Sequence, residues 1–405
     1  MRTNSNKKIH QKKRDPYAQL LRITVIVAAL AALCVGAFYL CNSMVRKDYF
    51  AKRAEVDAQN AQGEQEFNAQ MSALRNSNVV TQVDPTTGEI TTVERAYWET
   101  TVDGKLWRIE DETGVELENT NTVTMDRNTL LLGGMMLINQ WHAMPDDYTA
   151  QESQLVSVGN ASNWAIAVAD GNVKIYPVAY DALAKAIDAA KEQKLVDFIV
   201  REGYRTNETQ TTYFENRMQK LSDKYSGDAL IEQTKKYVNY PGTSEYQTGL
   251  SFLLGAYNKD NAALNKQGSG DAFQTIDQGK WMTENCWKYG IIFRFPTEDF
   301  PGGTWEDKSY KTGVSTKMNL YRYVGEAHSA AMRVMDYCLE EYVEFLVSHP
   351  HICIYEDGAL RYEIYRVTTD TTASSFSLPV PNPASDYIAS FDNMGGILMA
   401  YSYHQ

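Results

Sequence analysis

The sequence is poor in cysteine and lacks the short motifs of several enzyme classes. Only five of its 405 residues are Cys, and the three beyond residue 45, Cys286, Cys338 and Cys353, form no C-x-x-C pair. An odd number of widely spaced thiols excludes a disulfide scaffold and predicts buried core thiols. No G-x-S-x-G, G-x-G-x-x-G or P-loop pattern occurs, and the one S-x-x-K match, Ser5 to Lys8, lies in the N-terminal tail. These absences exclude the usual signatures of serine hydrolases, dinucleotide-binding enzymes and P-loop ATPases.

Acidic residues are nearly absent from residues 1–22, which hold seven Lys or Arg and one acid, a local charge of +6. The whole chain has 51 acidic and 39 basic side chains and a formal charge of −12, so the remainder is strongly acidic. A nucleic-acid partner is therefore not expected for the main body. Hydrophobic residues make up 43% of the chain and aromatic residues 11%, which excludes wholesale disorder.

No charged residue interrupts residues 23–45, which read ITVIVAALAALCVGAFYLCNSMV. A helix of this length spans a hydrocarbon core of about 30 Å, so the run predicts a transmembrane helix. The basic tail, residues 1–22, is then expected in the cytoplasm and residues 46–405 outside it. The alternative is a cleaved signal peptide, because Ala29-Leu30-Ala31 has the small-x-small form of a cleavage site, but that site falls in the middle of the apolar run.

The amino-acid composition of the chain changes twice after the apolar run. Residues 46–78 are rich in Ala, Gln, Asn and Glu and lack Pro, which predicts a polar helical stalk. Residues 79–125 are rich in Thr and Val, with turn signals at Asp84-Pro85 and Asp103-Gly104, and predict a β-rich arm that includes a first hairpin over TTVDGKLWRIE, residues 100–110. Apolar residues at helical spacing predict helices at 178–193, 208–221, 274–289 and 328–347, and a second hairpin is predicted around Asp357-Gly358.

Five blocks between residues 136 and 345 follow the order of a known family: MLINQWHAMPDDY, REGYRTNETQTTYFE, YPGTSEYQTGLSFL, GKWMTENCWKYGIIFRFP and KMNLYRYVGEAHSAAM, the last followed by LEEYVEF. They resemble the VanY-type D-alanyl-D-alanine carboxypeptidases, zinc peptidases that trim the stem peptides of the bacterial cell wall. The resemblance implies an α+β fold over residues 126–347, with a small antiparallel sheet flanked by helices. The β-rich arm, 79–125, and a β extension, 348–405, would be additions to that fold.

The family's zinc-binding pattern can be read directly onto this sequence. Two ligands come from S-x-H-x-x-G-x-x-x-D, and the base and third ligand from E-x-x-H just before an aromatic-R-Y-V-G stretch. Ser244, Gly249 and Arg322-Tyr323-Val324-Gly325 keep this register. The three ligand positions and the base position are then occupied by Tyr246, Leu253, Leu320 and Lys317, in that order.

These four replacements predict that no zinc ion binds at the family's site. A Leu side chain has no lone pair, and a phenol with a pKa of about 10 is a poor zinc ligand near neutrality. Lys317 would repel a dication at 4 Å by roughly 8 kcal/mol at an effective dielectric constant of about 20. The remaining histidines beyond the membrane segment, His142, His328, His349, His351 and His404, lie outside both ligand motifs. His349-Pro350-His351 has the form of a ligand pair, but the proline predicts a turn.

Substrate-binding positions are retained where the zinc positions are not. Arg205 and Gln210 match the family's substrate-binding arginine and the glutamine after it, and Ser244 is retained. We expect Arg205 and Lys317 to bind an anionic peptide terminus, with a bracing role in the loop as the alternative for Arg205. The sequence therefore predicts a cell-membrane pseudoenzyme without a cofactor that binds peptidoglycan stem peptides or an envelope protein. An active D-alanyl-D-alanine carboxypeptidase with another ligand set, or an assembly module of an envelope complex, are the alternatives.

Overall fold

The computed structural model divides the chain into two units, Met1–Ser72 and Ala73–Gln405. It describes residues 17, 20–41, 43–44, 47, 58 and 62 of the first unit, and 79–83, 90–94, 97–146, 148 and 152–403 of the second. In the first unit, helix α1 (Leu20–Cys41) is long and apolar enough to cross a membrane, as a signal sequence would also be. The predicted stalk and the turn at Asp84-Pro85 lie almost wholly outside the described residues.

The described part of the second unit begins with five strands and ends with five strands, and its helices lie between them together with seven further strands. Its strands are β1 (Val79–Val83), β2 (Ile90–Glu94), β3 (Tyr97–Val102), β4 (Lys105–Asp111), β5 (Thr120–Asp126), β6 (Val156–Ser157), β7 (Ala167–Val168), β8 (Lys174–Ile175), β9 (Phe198–Glu202), β10 (Ser251–Ala256), β11 (Ile291–Phe293), β12 (Leu320–Tyr323), β13 (His351–Glu356), β14 (Ala359–Thr368), β15 (Ser375–Pro381), β16 (Asp386–Phe391) and β17 (Gly396–Ser402). Its helices are α2 (Arg127–Leu131), α3 (Val158–Ala161), α4 (Pro177–Glu192), α5 (Asn207–Leu221), α6 (Gly227–Lys235), α7 (Ala262–Gln267), α8 (Asp277–Asn285), α9 (Ser309–Thr312), α10 (Glu326–Met335) and α11 (Leu339–Ser348).

A five-stranded sheet in the order β11-β12-β10-β9-β7 forms the centre of the region that resembles the peptidase family. All neighbouring pairs are antiparallel except β7 with β9. Helix α4 begins with Pro177 at its first turn, where the missing N–H costs nothing, and its apolar stripe, including Leu183 and Ile187, packs with Phe252 of β10. The predicted small antiparallel sheet flanked by helices, and the α+β class, are confirmed.

A six-stranded antiparallel sheet in the order β16-β17-β14-β13-β4-β3 joins the predicted arm to the C-terminal strands. The two predicted hairpins are present, since Val102 pairs with Lys105 and Glu356 with Ala359 around their Asp-Gly turns. One face of this sheet packs on α10 and α11 in a core that includes Ile109, Ile352 and Ile364. The predicted domain limits remain predictions.

The region predicted as one helix over 328–347 is two helices instead. Asp336 adopts a left-handed conformation with φ 56°, which ends α10, and the Cys338 side chain caps the first turn of α11 together with Glu341. Short polar side chains such as Asp tolerate this conformation better than other non-glycine residues, so the aspartate provides a stop that the apolar periodicity does not show. Cys286, Cys338 and Cys353 are buried and free, as predicted for core thiols.

Candidate functional site

A cavity of about 350 Å³ opens between α5, α6 and the two segments matched to the family's zinc-binding pattern. The 3-10 turn Glu245–Thr248 and the loop before β12 form its floor. Its lining includes Arg205, Ser244, Tyr246 and Leu320, four of the residues singled out from the sequence. The structure therefore brings together residues that lie up to 115 positions apart in the chain.

The three positions matched to zinc ligands meet in one apolar cluster. Leu253 and Leu320 are directly opposite each other on the neighbouring strands β10 and β12. Tyr246 packs with them from the 3-10 turn. We call this cluster the apolar plug, and it consists of Tyr246, Leu253, Phe295, Val314, Met318 and Leu320. The sequence register matches these three residues to the ligand positions, and apart from the Tyr246 hydroxyl their side chains in this cluster offer only carbon atoms.

Tyr246 is held as a neutral phenol within the plug. Only 6% of the residue is exposed, and burial raises the pKa of its hydroxyl above the ordinary value, although Arg205 acts in the opposite direction. The Arg205 guanidinium lies 3.8 Å from the centre of the Tyr246 ring, so a cation occupies one face of it. The turn closes at Gly249, whose φ is 70° and where a Cβ atom would come within 2.7 Å of the Tyr176 ring. Gly249 is thus required by the close packing that positions Tyr246.

Arg205 and Gln210 lie together, and each is fixed by hydrogen bonds. Arg205 Nε and Nη2 donate to the two carboxylate oxygens of Glu202 at 2.5 and 2.6 Å, and Nη1 donates to Gln210 Oε1 at 3.0 Å. Gln210 is fully buried behind Arg205 and donates to the Asn239 carbonyl at 2.7 Å. Three of the five guanidinium N–H groups serve these bonds, so a bracing role and a ligand-binding role are compatible.

Ser244 and Lys317 differ in their relation to the cavity. Ser244 is buried, lines the cavity, and its carbonyl accepts from the Gln247 N–H at 3.0 Å at the start of the 3-10 turn. Lys317 is half-buried between the lining residues Thr316 and Met318 but does not itself belong to the lining. The binding role of Lys317 stays a prediction.

Other cations, which the sequence interpretation missed, form one wall of the cavity. Arg217 and Lys220 project from α5, and Lys235 and Lys236 stand at the end of α6. Tyr213, Arg217 and Lys220 follow the i, i+4, i+7 spacing of a single helix face, so this signal was available in the sequence. We call Arg217, Lys220, Lys235 and Lys236 the cationic wall. It gives the cavity a positive potential in an otherwise acidic protein.

A buried network of four charged side chains lies beneath the cavity. Glu245 accepts from Arg294 Nε at 2.8 Å, from Arg322 Nη1 at 2.5 Å and from Ser251 Oγ at 2.9 Å. Arg294 also donates to both oxygens of Glu340, at 2.7 and 2.8 Å. We call Glu245, Arg294, Arg322 and Glu340 the buried tetrad. Its charges cancel, and its side chains join the 3-10 turn, the residue after β11, strand β12 and helix α11.

Glu245 is the one carboxylate that lines the cavity within the described part of the chain. Burial by itself would raise its pKa, but the neighbouring guanidinium groups of Arg322 and Arg294 outweigh burial and hold the pKa below the ordinary value. Both of its oxygens already accept hydrogen bonds from the tetrad. Glu245 is therefore poorly suited to accept a proton from water or to bind a metal.

Comparison with known proteins identifies the family. The sequence profile described as "VanY: D-alanyl-D-alanine carboxypeptidase" matches residues 172–326. The bifunctional D-Ala-D-Ala dipeptidase and D-Ala-D-Ala carboxypeptidase VanXYC of Enterococcus gallinarum is 31% identical over 171 residues, which cover 41% of this chain and 74% of that relative. This chain belongs to the VanY family. A D-alanyl-D-alanine carboxypeptidase of Enterococcus faecium is 26% identical over 284 residues, 70% of this chain and 79% of the relative.

The likeness extends to a solved structure of a VanY relative. The crystal structure of the vancomycin resistance D,D-dipeptidase VanXYg, in complex with a D-Ala-D-Ala phosphinate analogue, matches with a TM-score of 0.50. The match covers 70% of this chain and 99% of that chain at 21% identity, so it concerns the fold.

The residues at the positions matched to the VanY ligand motif do not fit a zinc ion. They offer a neutral phenol stacked on a guanidinium, two leucines and, at the base position, Lys317. None of His142, His328, His349 and His351 lines the cavity, and His404 lies outside the described residues. His328 is instead buried beside Tyr342, with Nδ1 3.1 Å from its hydroxyl, in agreement with a structural role.

Proposed function

We propose that this VanY-family protein binds peptidoglycan stem peptides in the cavity without cleaving them. It would be anchored by α1, with the basic tail in the cytoplasm and the second unit outside the cell membrane. The observation that carries the proposal is the apolar plug, which unites Tyr246, Leu253 and Leu320 at the positions matched to the three zinc ligands. A site without ligand atoms offers no Lewis acid to polarise a peptide carbonyl or to activate water.

The remaining groups in the cavity support binding more than hydrolysis. Peptide hydrolysis needs a base within reach of the attacking water, and Glu245 is engaged by Arg294 and Arg322. Tyr246 is neutral and faces Arg205, which makes it an equally poor base. The proposal therefore assigns to this cavity recognition of a ligand and no bond cleavage.

The charge of the cavity favours a ligand that ends in a carboxylate. Arg205 is held in one orientation by Glu202 and Gln210, so little of its side-chain entropy remains to be lost when it binds a carboxylate. The cationic wall adds a positive potential that attracts an anionic peptide. The solved VanXYg relative holds a D-Ala-D-Ala phosphinate analogue, and a stem peptide that ends in D-Ala-D-Ala is the corresponding ligand for this chain.

The experiment measures binding and cleavage on the same protein. Full-length protein in detergent is titrated with a pentapeptide that ends in D-Ala-D-Ala, and free D-alanine is assayed with and without added zinc. We expect saturable binding and no release of D-alanine, whereas an active VanY relative run in parallel should release it. Catalytic release of D-alanine by this chain would overturn the proposal.

Two charge variants test the site of binding. Arg217, which is half-buried, is the first target, and Arg217→Ala should weaken peptide affinity by roughly two- to fivefold, the range expected for a charge pair that stays accessible to solvent. Lys185→Ala removes an exposed cation from α4, outside the cavity, and serves as the matched control. Lys317→Glu tests the binding role predicted for Lys317, which is discarded if affinity is unchanged. Equal affinity of Arg217→Ala and the parent protein would place the peptide elsewhere.

Active carboxypeptidase function is the second candidate, favoured by the names of the relatives, and the same D-alanine assay decides it.

An envelope protein partner is the third candidate. Strands β3 and β16 form the two edges of the six-stranded sheet, and edge strands can pair with another chain. Membrane crosslinking in the absence of peptide binding would favour this third function.

A further inference from the structure

Three side chains with metal-binding atoms converge on the six-stranded sheet, away from the cavity. His351 and Cys353 are two residues apart on β13 and therefore point to the same face. Glu363 lies directly opposite Cys353 on β14. Their ligand atoms all lie within 4.8 Å of one another, and within the described residues they form the one such group of at least three His, Cys, Asp or Glu side chains.

A β-bulge creates this arrangement. The pairing of β13 with β14 shifts by one residue between Ile354 and Tyr355. If the two strands kept the pairing that starts at the Asp357-Gly358 turn, the Glu363 side chain would lie on the opposite face of the sheet from the Cys353 side chain. The irregularity thus gathers the three side chains on one face.

The hydrogen bonds around the cluster orient its side chains as in known metal sites. His351 Nδ1 lies 2.7 Å from the Val115 carbonyl, which makes Nδ1 the donor and turns Nε2 toward Glu363 Oε1 at 2.8 Å. A backbone carbonyl that binds one ring nitrogen commonly fixes the tautomer of a metal-binding histidine. The Tyr403 hydroxyl donates to the other oxygen of Glu363 and so positions the carboxylate.

The surroundings of the cluster favour a cation. His351 and Cys353 are 3% and 7% exposed, and the Glu363 side chain is 12% exposed. Strand β4 places Glu110 opposite Cys353, and the Glu112 N–H donates to the His351 carbonyl at 2.9 Å. The Glu363 carboxylate thus lies beside one imidazole and one thiol in a largely buried setting, where a nearby cation stabilises its negative charge.

We propose that His351 Nε2, Cys353 Sγ and a Glu363 carboxylate oxygen bind one Zn²⁺ ion, with water as the fourth ligand. Zinc–ligand bonds of about 2.0–2.3 Å at a tetrahedral angle separate neighbouring ligand atoms by roughly 3.3–3.7 Å. The present separations of 2.8 Å for His351–Glu363 and 3.9 Å for Cys353–Glu363 are within about half an ångström of that range. Calcium and magnesium prefer an all-oxygen set, so the thiolate and imidazole select zinc.

Binding of the ion replaces the His351–Glu363 hydrogen bond and releases two protons to solvent, the one shared in that bond and the one on the Cys353 thiol. The ion would crosslink β13 to β14, and we expect it to stabilise the second unit. None of the three ligands lines the cavity, so the proposal is independent of the proposed function.

The test uses full-length protein in detergent, freed of metal with a chelator and titrated with zinc chloride. We expect one equivalent to bind and the melting temperature to rise, since a ligand that binds only the folded state stabilises it. Cobalt chloride in place of zinc should give the ultraviolet charge-transfer absorption of a cobalt–thiolate bond. Absence of this band at saturating cobalt, or of any zinc-dependent shift in melting temperature, would overturn the proposal.

Variants identify the ligands. Cys353→Ser and Glu363→Gln keep the shape of the side chain and should lower zinc affinity by about tenfold or more. Cys338→Ser is the control, because its side chain caps α11 and serine is a preferred cap, so zinc affinity should be unchanged. If Cys353→Ser fails to fold, judged by circular dichroism, the cobalt spectrum of the parent protein decides. Zinc that is retained by Cys353→Ser at parent affinity would assign the ion to another place.

Discussion

Glu245→Gln is the substitution that tests the buried tetrad most directly. The amide keeps the size and shape of the carboxylate but removes its negative charge. Arg294 keeps both oxygens of Glu340, whereas Arg322 keeps the backbone carbonyls of Gly134, Met136 and Tyr323, at 2.7, 3.2 and 3.3 Å, none of which carries a formal charge. The substitution therefore leaves one positive charge uncompensated beneath the cavity.

The size of the effect follows from burial. Arg294 and Arg322 are 0% exposed and Glu245 is 4% exposed, so water cannot replace the lost charge. Removal of one partner from a buried ion pair costs about 3–5 kcal/mol. A loss of this size should lower the melting temperature of the second unit by roughly 4–7 °C.

The assay is thermal unfolding followed by circular dichroism, with Glu232→Gln as the control. Glu232 pairs with Lys235 at 2.7 Å, but its side chain is 65% exposed, so its loss should cost less than about 1 kcal/mol. Equal melting temperatures for Glu245→Gln and Glu232→Gln would refute the reasoning that the tetrad holds the site together.

The pH dependence provides a second test of the same network. Since the folded-state pKa of Glu245 is lowered, its contribution is present above the unfolded-state pKa of about 4.3 and is lost as the pH falls through the lower folded-state value. The difference in melting temperature between the parent protein and Glu245→Gln should therefore be full above about pH 5 and shrink at lower pH. A difference that grows on acidification would contradict the assigned sign.

Three further predictions concern the plug and the zinc site. Leu320 is fully buried, so Leu320→Ala should lower the free energy of unfolding in urea by about 2–5 kcal/mol. Leu320→Met should lower it by less than about 1.5 kcal/mol. Similar losses for the two variants would contradict tight packing of the plug. Tyr246→Leu removes the ring that contacts Arg205, so it should lower the free energy of unfolding more than Tyr246→Phe, which keeps the ring. Equal stability of the two variants would show that the cation–π contact contributes nothing. Zinc affinity should rise between about pH 6 and pH 8, because His351 must be neutral and Cys353 deprotonated. Burial opposes the charged imidazole, but the hydrogen bonds to Glu363 and to the Val115 carbonyl, together with the negative charges of Glu363 and Glu112, outweigh burial and raise the His351 pKa. Burial and the nearby carboxylates of Glu363, Glu112 and Glu110 raise the Cys353 pKa. Zinc affinity that is constant over this pH range would therefore contradict these ligands.

Local signals predicted the elements of the fold well. The Asp-Gly turns predicted both hairpins because this dipeptide favours tight turns between strands. Apolar spacing predicted α4, but it extended through Asp336 and fused α10 with α11, because hydrophobic periodicity carries no information about a left-handed residue within a helical pattern. The family register assigned Tyr246, Leu253 and Leu320 to the three ligand positions, and in the structure these residues lie in one cluster.

Long-range charge pairing could not be predicted from the sequence. Glu245 and Arg322 are 77 residues apart, and charged side chains are normally assigned to the surface unless a partner is known. The zinc cluster was missed for a similar reason, since Cys353 was interpreted as a core thiol and its partner depends on the bulge at Ile354 and Tyr355. A one-residue shift in register is invisible to period-two alternation but decides which side chains share a face.

The facing leucines of β10 and β12 have a consequence for the evolution of this protein. An aspartate at position 253 alone would be surrounded by hydrocarbon from the plug, and a histidine at position 320 alone would displace a fully buried leucine. Each single substitution that introduces one metal ligand therefore lowers stability, because the other ligands needed to bind an ion are still absent. Because of this packing, several simultaneous substitutions would be needed to build a metal-binding set at these positions.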